Sequence, residues 1–337
     1  MTGASPFAAS AGLTEQPPSA QPRQQSEAIS VLTYNVKGLP WPVARGRDAA
    51  FTAIEHRLLG LRAAGLQPHI IVLQEAFTER AKQIGLQSGY AFHADGPVRD
   101  DPTPVSQSVA AKIYLKSASL LKGETEGKWV DSGLQISSDY PIISVKRTAF
   151  PQDACAGYDC LATKGILLVE VRVPGQATPV TIVTTHLNSR HASGVSGERS
   201  IKAFRRQVET LDAFITSNHN PENPLIVSGD FNASSPARRR ILANAKWALT
   251  ATGNQIPSRS GLDDIRASTN LTGKLGDEAA YIAQRGRDWQ FFGGGSKWSL
   301  LPVALQIPFG TEKDGSSLSD HLGFVIDYKI VAAPQES

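Results

Sequence analysis

Five short polar motifs, each at the end of an apolar run, constrain the fold of this chain most strongly. In chain order they are TYNV from Thr33, LQE from Leu73, THLN from Thr185, GDFN from Gly229 and SDH from Ser319. Each motif carries a residue type that binds metal ions or transfers protons. Apolar runs of this length are typical of buried strands, and functional residues often follow such strands at the edge of a sheet. One fold must therefore bring these distant strand ends together.

The segments between the motifs predict an α/β fold. Strands are expected at 29–36, 70–73, 90–93, 110–115, 134–137, 142–149, 165–173, 180–185, 225–227, 289–292 and 321–330. Helices are expected at 47–64, 198–217 and 236–245, and a loop at 251–277. The strands are continuous apolar runs, which indicates sheets covered on both faces. We expect a four-layered α/β sandwich of two packed mixed β-sheets flanked by helices. A doubly wound parallel sheet is the alternative, but residues 90–185 offer no good helix between strands.

The first 28 residues differ in composition from the remainder. They are rich in Ala, Ser, Gln and Pro, so we expect a disordered leader at 1–28 and a single domain at 29–331. The leader lacks the basic start and apolar centre of a signal peptide. A chain of 337 residues can build a substantial core, and its sequence holds no apolar stretch long enough to span a bilayer.

Only two cysteines occur, Cys155 and Cys160, five positions apart. They are either reduced thiols in a cytosolic loop or a small disulfide in an exported protein. The leader composition favours the disulfide. A zinc site is not expected, because no second Cys or His pair lies nearby.

The GDFN and LQE motifs offer oxygen ligands. Asp230 and Asn232 are two residues apart, so extended backbone places both on one face and Phe231 on the other. This pair suits a metal ion or a phosphoryl oxygen, although Asp and Asn also form turns after strands. Glu75 suits binding of a hard cation such as Mg²⁺. Alternatively, it is a charged residue at the start of a helix from Thr78, where the helix dipole stabilises it.

Two histidines complete the set of strand-end residues. His186 ends a run of Val and Thr, and His321 precedes the last strand. Asp320 is adjacent to His321, so its side chain is expected to point elsewhere, toward a metal. A separate carboxylate must then orient His321, and Asp288 is the best candidate because its strand lies just upstream.

These five motifs, in this order, resemble the endonuclease/exonuclease/phosphatase superfamily of the DNase I-like fold, over residues 29–331. The resemblance implies a phosphodiesterase dependent on Mg²⁺ or another divalent cation such as Mn²⁺. It implies that Asn35, Glu75 and Asp320 bind the metal. It also implies that the catalytic residues are His186, Asp230, Asn232, Asp288 and His321. His321 would be the general base oriented by Asp288, and His186 would stabilise charge in the transition state. Asp230 and Asn232 would hold the attacking water and a phosphoryl oxygen.

Three segments resemble neutral and bacterial sphingomyelinases and bear on the substrate. They are residues 132–142 with Tyr140, residues 159–166 with Lys164, and residues 35–42 with Trp41. Asp139 departs from the resemblance, because a basic residue is common at that position. Trp41 and Trp298 are expected on loops near the site, where aromatic rings either suit a membrane interface or pack against their own loops. The resemblance implies cleavage of sphingomyelin to ceramide and phosphocholine at a phospholipid surface, by a secreted or periplasmic bacterial monomer with no protein partner.

Other activities of the superfamily remain open at this stage. Arg238–Arg240 would suit a nucleic-acid backbone, so a metal-dependent endonuclease is the first alternative, beside an inositol-phosphate phosphatase. The formal net charge of +3 neither requires nor excludes nucleic acid. A non-catalytic binding protein on the same scaffold is a remote alternative.

Overall fold

Two six-stranded sheets form the centre of the protein. The computed structural model describes residues 28–39, 44–245, 247–249, 255–256 and 259–333. In chain order its strands are β1 Ala28–Asn35, β2 Ile70–Gln74, β3 Phe92–Asp95, β4 Gln135–Ser138, β5 Ile142–Ala149, β6 Gly165–Val171, β7 Val180–His186, β8 Leu225–Asp230, β9 Ala248–Leu249, β10 Gln255–Ile256, β11 Arg259–Ser260, β12 Asp288–Gly293, β13 Trp298–Phe309 and β14 Gly323–Ala332.

Helices cover the outer faces of these sheets. They are α1 Asp48–Ala63, α2 Glu79–Lys82, α3 Ile84–Gln87, α4 Val109–Lys116, α5 Gly197–Asn218, α6 Pro236–Ala243, α7 Gly261–Ser268 and α8 Gly273–Arg285. Short 3₁₀ turns occupy Leu120–Lys122, Gln152–Ala154 and Gly157–Leu161. Within the described residues, no helix combines the length and the apolar character needed to cross a membrane.

The strand order brings the predicted site residues to one edge. The first sheet runs β13-β14-β1-β2-β4-β3 and the second runs β11-β12-β8-β7-β6-β5. In each sheet the central pair is parallel, β1 with β2 and β7 with β8, and the neighbouring strands β14 and β12 are antiparallel to it. The carboxyl ends of four strands and the amino ends of two therefore meet at the same edge.

Burial on both faces explains the continuous apolar runs. Alternate residues of β1 divide between two clusters: Ile29 and Val31 pack between the sheets, whereas Leu32 and Tyr34 pack under α1. On the far side, Phe204 of α5 lies in a third cluster against the second sheet. Each such fully buried apolar side chain contributes about 1.5–3 kcal/mol. The order helix, sheet, sheet, helix is the four-layered sandwich that the sequence predicts.

The two cysteines form a disulfide, as predicted. Cys155 and Cys160 are joined with their Cα atoms 5.2 Å apart. The predicted leader lies outside the described residues except for Ala28, the first residue of β1. The single domain at 29–331 stays a prediction.

Three segments differ from the sequence prediction. Residues 110–115 were expected as a strand but belong to helix α4, whose first turn is capped by Ser108 Oγ accepting from the Ala111 amide at 3.1 Å. The described part of 251–277 contains α7 and the start of α8, each anchored by a small apolar face. β13 was not predicted, because Pro302 and the bulge after it interrupt the strand pattern.

Candidate active site

Asn35 lies at the centre of the shared sheet edge. Its Nδ2 donates to Glu75 Oε1 at 2.9 Å and to Asp230 Oδ2 at 3.1 Å. Its Oδ1 accepts from the Lys37 backbone amide at 3.0 Å. The buried side-chain amide of Asn35, at the end of β1, thus bonds to Glu75, which follows β2, and to Asp230, which ends β8.

Asp230 links this group to both histidines. Its Oδ2 lies 3.5 Å from His186 Nε2 and 3.7 Å from His321 Nε2. Its Oδ1 accepts from the Asn232 amide at 2.9 Å, which fixes the turn after β8. Gly229 is required here, because a Cβ at this position would lie 2.2 Å from the Thr185 carbonyl oxygen of the adjacent strand.

His321 is held by Asp288. Its Nδ1 lies 2.7 Å from Asp288 Oδ2, and both side chains are buried. Burial alone would lower the pKa of His321, but the charges of Asp288 and Asp230 outweigh that effect and raise the pKa to about 9. The side chain predicted as the general base therefore has its Nδ1 occupied and its Nε2 directed toward Asp230.

His186 has the opposite electrostatic character. Burial, together with the charge of Lys164, lowers its pKa to about 3, so the imidazole is neutral near pH 7. Among the described groups its Nδ1 has no hydrogen-bond partner, and its Nε2 faces Asp230. A neutral imidazole of this kind can donate one hydrogen bond to a developing negative charge.

Three non-glycine residues adopt a left-handed backbone conformation at this edge of the sheets. Within the described chain, Lys37 (φ 53°), Glu75 (φ 57°) and Asn232 (φ 49°) are the non-glycine residues with positive φ, and all three line one cavity. Each conformation costs of order 1–3 kcal/mol and is typical of functional sites. Sequence alone gives no signal for it, except that Asn tolerates the conformation.

Within the part of the chain that the structure describes, two groups of side chains have the geometry to hold a metal ion. Glu75, His186 and Asp230 offer one donor atom each, all within 4.8 Å of one another, and Asp230, Asp288 and His321 form an overlapping group. Glu75 and Asp230 are carboxylates held close by one amide, and burial raises the pKa of Glu75. A divalent cation would offset that cost, and oxygen donors of this type suit Mg²⁺ or Mn²⁺. The residues present therefore fit the implied cation.

Asp320 lies apart from both groups. Its carboxylate is half exposed and lies 3.8 Å from Lys37 Nζ. Although burial opposes it, the charges of His321 and Lys37 hold the pKa of Asp320 below its usual range. Asp320 lines the cavity but belongs to neither group, so its predicted role as a metal ligand stays a prediction.

The predicted substrate residues have different positions. Lys164 lies in the cavity wall, where its ammonium contacts Asp159 Oδ1 at 2.9 Å and donates to the Leu187 carbonyl at 3.1 Å. Tyr140 is not brought to the site. It follows β4 at the opposite edge and stacks on His69 with ring centroids 5.0 Å apart. Trp41 lies outside the described residues.

Asp139 and Trp298, two other residues of the sequence analysis, also lie away from the cavity. Asp139, next to Tyr140, pairs with Arg62 at 2.7 Å, so the segment is tied to α1 far from the cavity. Trp298 begins β13 opposite Ala332 and packs against the core between the sheets, which removes it from the expected place beside the site.

A cavity of about 490 Å³ opens over the catalytic candidates. Glu75, His186, Asp230, Asn232 and His321 line one part of it. The rest of the wall is largely apolar and includes Leu39 and Leu161, which lie in the resembling segments 35–42 and 159–166, and three side chains that the sequence analysis missed: Phe77, Trp129 and Tyr158. Tyr158 stands between the two cysteines, and that position is the only sequence signal that could have indicated it.

Known proteins share the fold of this chain. The model of the Endonuclease/Exonuclease/phosphatase family matches residues 32–321. No curated protein matches the chain. Similar solved structures include sphingomyelinase C from Streptomyces griseocarneus, at 22% identity and a TM-score of 0.52, covering 89% of this chain and 99% of that one.

Two other structures share the fold. Beta toxin from Staphylococcus aureus with bound magnesium ions is 17% identical with a TM-score of 0.53, covering 88% of this chain and 98% of that one. TDP2 from D. rerio, complexed with a single-strand DNA product, is 12% identical with a TM-score of 0.55, covering 90% and 99%. At these identities the likeness shows the fold alone.

Proposed function

Because this chain belongs to the endonuclease/exonuclease/phosphatase family, a family of hydrolases that act on phosphoester bonds, we propose that it is a Mg²⁺-dependent phosphodiesterase acting on a phospholipid head group. Sphingomyelin is the proposed substrate, and ceramide and phosphocholine are the proposed products. The observation that carries the proposal is the buried His321–Asp288 pair beside Asp230, His186 and the two candidate metal groups.

His321 is the proposed general base. Asp288 fixes its Nδ1, so Nε2 is the atom that takes the proton of the attacking water. The water oxygen forms the new bond to phosphorus, the bond to the ceramide oxygen breaks, and that oxygen takes up a proton. Asp230 and Asn232 orient the water and a phosphoryl oxygen at the turn that follows β8.

His186 is the proposed donor to the transition state. As a neutral imidazole it offers one N–H to the charge that develops on the phosphoryl oxygens. Glu75 and Asp230 would hold the cation, and the Asn35 side-chain amide, which donates to both carboxylates, would keep them together. When bound, Mg²⁺ would neutralise phosphoryl charge and offset the carboxylate charge that raises the pKa of His321.

The apolar part of the cavity wall supports the proposal of a lipid substrate. Phe77, Trp129 and Tyr158 offer apolar surface beside the reacting groups, which suits the region where a head group joins its acyl chains. Of the basic triplet that favoured DNA, Arg240 is exposed but Arg238 is not available to a ligand. Arg238 is 2% exposed and bonds to the carbonyls of Asn188 and Asn232.

The disulfide supports a location outside the cytoplasm. Bonds of this kind persist in oxidising compartments, so we place the protein in the periplasm or the medium, acting as a monomer on a membrane surface.

The proposal is tested by three assays run side by side with Mg²⁺. The substrates are sphingomyelin vesicles, plasmid DNA and a soluble inositol polyphosphate. We expect phosphocholine release from the vesicles at a rate at least about tenfold above any reaction with the other two. Cleavage of DNA alone would replace the proposed substrate with nucleic acid.

A further inference from the structure

Exposed apolar side chains are concentrated in one segment beside the cavity. Among the described residues of 105–129, six large apolar side chains are between 55% and 88% exposed: Val105, Val109, Ile113, Leu120, Leu121 and Trp129. Single exposed apolar residues are ordinary, but a group of this size marks a surface that contacts something. We name residues 105–129 the rim segment.

Helix α4 within the rim segment turns its apolar side chains outward. Ala111 is its buried residue, whereas Val109 is 75% and Ile113 is 64% exposed. A surface helix of a globular domain normally buries such residues against the core. Nothing in the packing of the described chain accounts for their exposure, so the fold leaves this face available for a partner.

The charge of the rim segment identifies the chemistry of that partner. The rim segment contains four lysines, Lys112, Lys116, Lys122 and Lys128, and two acidic residues, Glu124 and Glu126, whereas the whole chain has 34 basic and 31 acidic side chains. Of the two acidic residues, Glu124 is paired with Arg199 at 2.6 Å. Apolar side chains interspersed with lysines suit a bilayer that contains anionic lipids. A symmetric contact with a second copy would instead bring the same lysines toward one another.

The rim segment is continuous with the mouth of the cavity. Tyr158 Oη donates to the Leu121 carbonyl at 3.5 Å, and Lys122 Nζ lies 5.4 Å from the centroid of the Tyr158 ring. Tyr114 of α4 donates to the Cys155 carbonyl at 2.8 Å, which joins the helix to the disulfide loop. Tyr158 and Trp129 both line the cavity, so a surface that touches the rim segment also faces the catalytic candidates.

We propose that the rim segment docks the protein on a bilayer containing anionic lipid, with Leu120 and Leu121 entering the interface and the lysines contacting the head groups. This inference rests on the proposed function, because it assigns the surface by which the enzyme reaches its lipid. It also replaces Trp298 with the rim segment as the place of membrane contact.

Vesicle flotation of the full chain in EDTA tests docking without turnover. The vesicles contain phosphatidylcholine, with or without phosphatidylglycerol. The variant with both Leu120→Glu and Leu121→Glu is expected to lose at least about tenfold in binding, because two exposed leucines no longer enter the interface. The control Leu66→Glu changes a leucine of similar chemistry, 48% exposed and at the opposite sheet edge, and is expected to bind like wild type.

Lys112→Ala with Lys116→Ala should remove the preference for anionic vesicles.

Hydrolysis of bis(p-nitrophenyl) phosphate with Mg²⁺ separates this inference from the proposed function. Unchanged hydrolysis by the double glutamate variant, together with lost flotation, supports docking through the rim segment. Wild-type binding by that variant overturns the inference and leaves the phosphodiesterase in place. Gel filtration gives a third outcome: a wild-type dimer that the same variant dissociates would assign the surface to a second copy and would also overturn it.

Discussion

His321 Nδ1 lies 2.7 Å from Asp288 Oδ2, across two different sheets of the sandwich. Asp288 opens β12 in register with Asp230, and His321 precedes β14, which pairs with β1. The pair therefore forms only when the two sheets are packed. This is the arrangement through which a carboxylate can fix the tautomer of an imidazole and favour its protonated form.

Loss of the imidazole should remove most turnover. His321→Ala is expected to lower kcat by about 10²–10⁴-fold, since the attacking water loses its base.

Asp288→Asn should lower kcat less and shift the acid limb of the pH–rate profile to lower pH, because removal of the Asp288 charge lowers the pKa of His321. The measurement is kcat against pH, with circular dichroism as the check on folding. An acid limb that stays in place in Asp288→Asn would contradict the proposed pairing.

Glu75 should control metal binding. Glu75→Gln keeps the size of the side chain but removes its charge, so the affinity for Mn²⁺ is expected to fall by at least about tenfold and turnover with it. Titration calorimetry with Mn²⁺ gives the affinity. Asp314→Asn serves as the control, because that carboxylate is exposed and bonds to Ser316 away from the candidate metal groups. Equal affinities in wild type and Glu75→Gln would show that the metal binds elsewhere.

Arg238 should matter for stability rather than for nucleic acid. Its guanidinium bonds to the carbonyls of Asn188 and Asn232 and to Ser200 Oγ. Arg238→Ala leaves buried acceptors unpaired and is expected to lower the free energy of unfolding by about 3 kcal/mol.

Arg240, two positions along the same helix, supplies the matched control. It is exposed, so Arg240→Ala should change the free energy of unfolding by less than about 0.5 kcal/mol in the same urea titration. Equal stability of the two variants would mean that Arg238 is free for another role, including contact with a phosphate backbone.

His219 should make the fold sensitive to acid. Burial lowers its pKa to about 4 in the folded protein, below the value of about 6.5 that it has when unfolded. The unfolded chain therefore binds the proton more readily between these values, and acidification from pH 7 to pH 5 costs about 2 kcal/mol of stability. Urea unfolding at both pH values should show that His219→Gln loses correspondingly less than wild type. Equal losses would assign the acid sensitivity to other groups.

Much of the fold was predictable because burial leaves a local pattern. The apolar runs of β1 and β2, and the ends of these strands at Asn35 and Glu75, are visible without any long-range information. The contact between Asp288 and His321 was predicted because an imidazole base needs a carboxylate to orient it and because the strand of Asp288 lies just upstream. The catalytic roles of the two residues are proposals.

Most of the errors come from packing between distant segments. Tyr140 and Trp298 belong to segments whose position depends on which edge of the sheet they reach, and local sequence does not carry that information. The left-handed backbone of Glu75 and the apolar wall around Trp129 also depend on packing between distant segments. Residues 110–115 were predicted as a strand for a different reason: an exposed helix with outward apolar residues has the composition of a strand.

The central claim is that a divalent cation held at Glu75 and Asp230 and the base His321 act together on a phospholipid phosphodiester. Phosphocholine release from sphingomyelin vesicles, measured with Mg²⁺, after EDTA and after Mg²⁺ is restored, tests it most directly. We predict release with Mg²⁺, loss in EDTA and recovery on restoration, with no recovery in His321→Ala. Full release in EDTA, or undiminished release by His321→Ala, would contradict it.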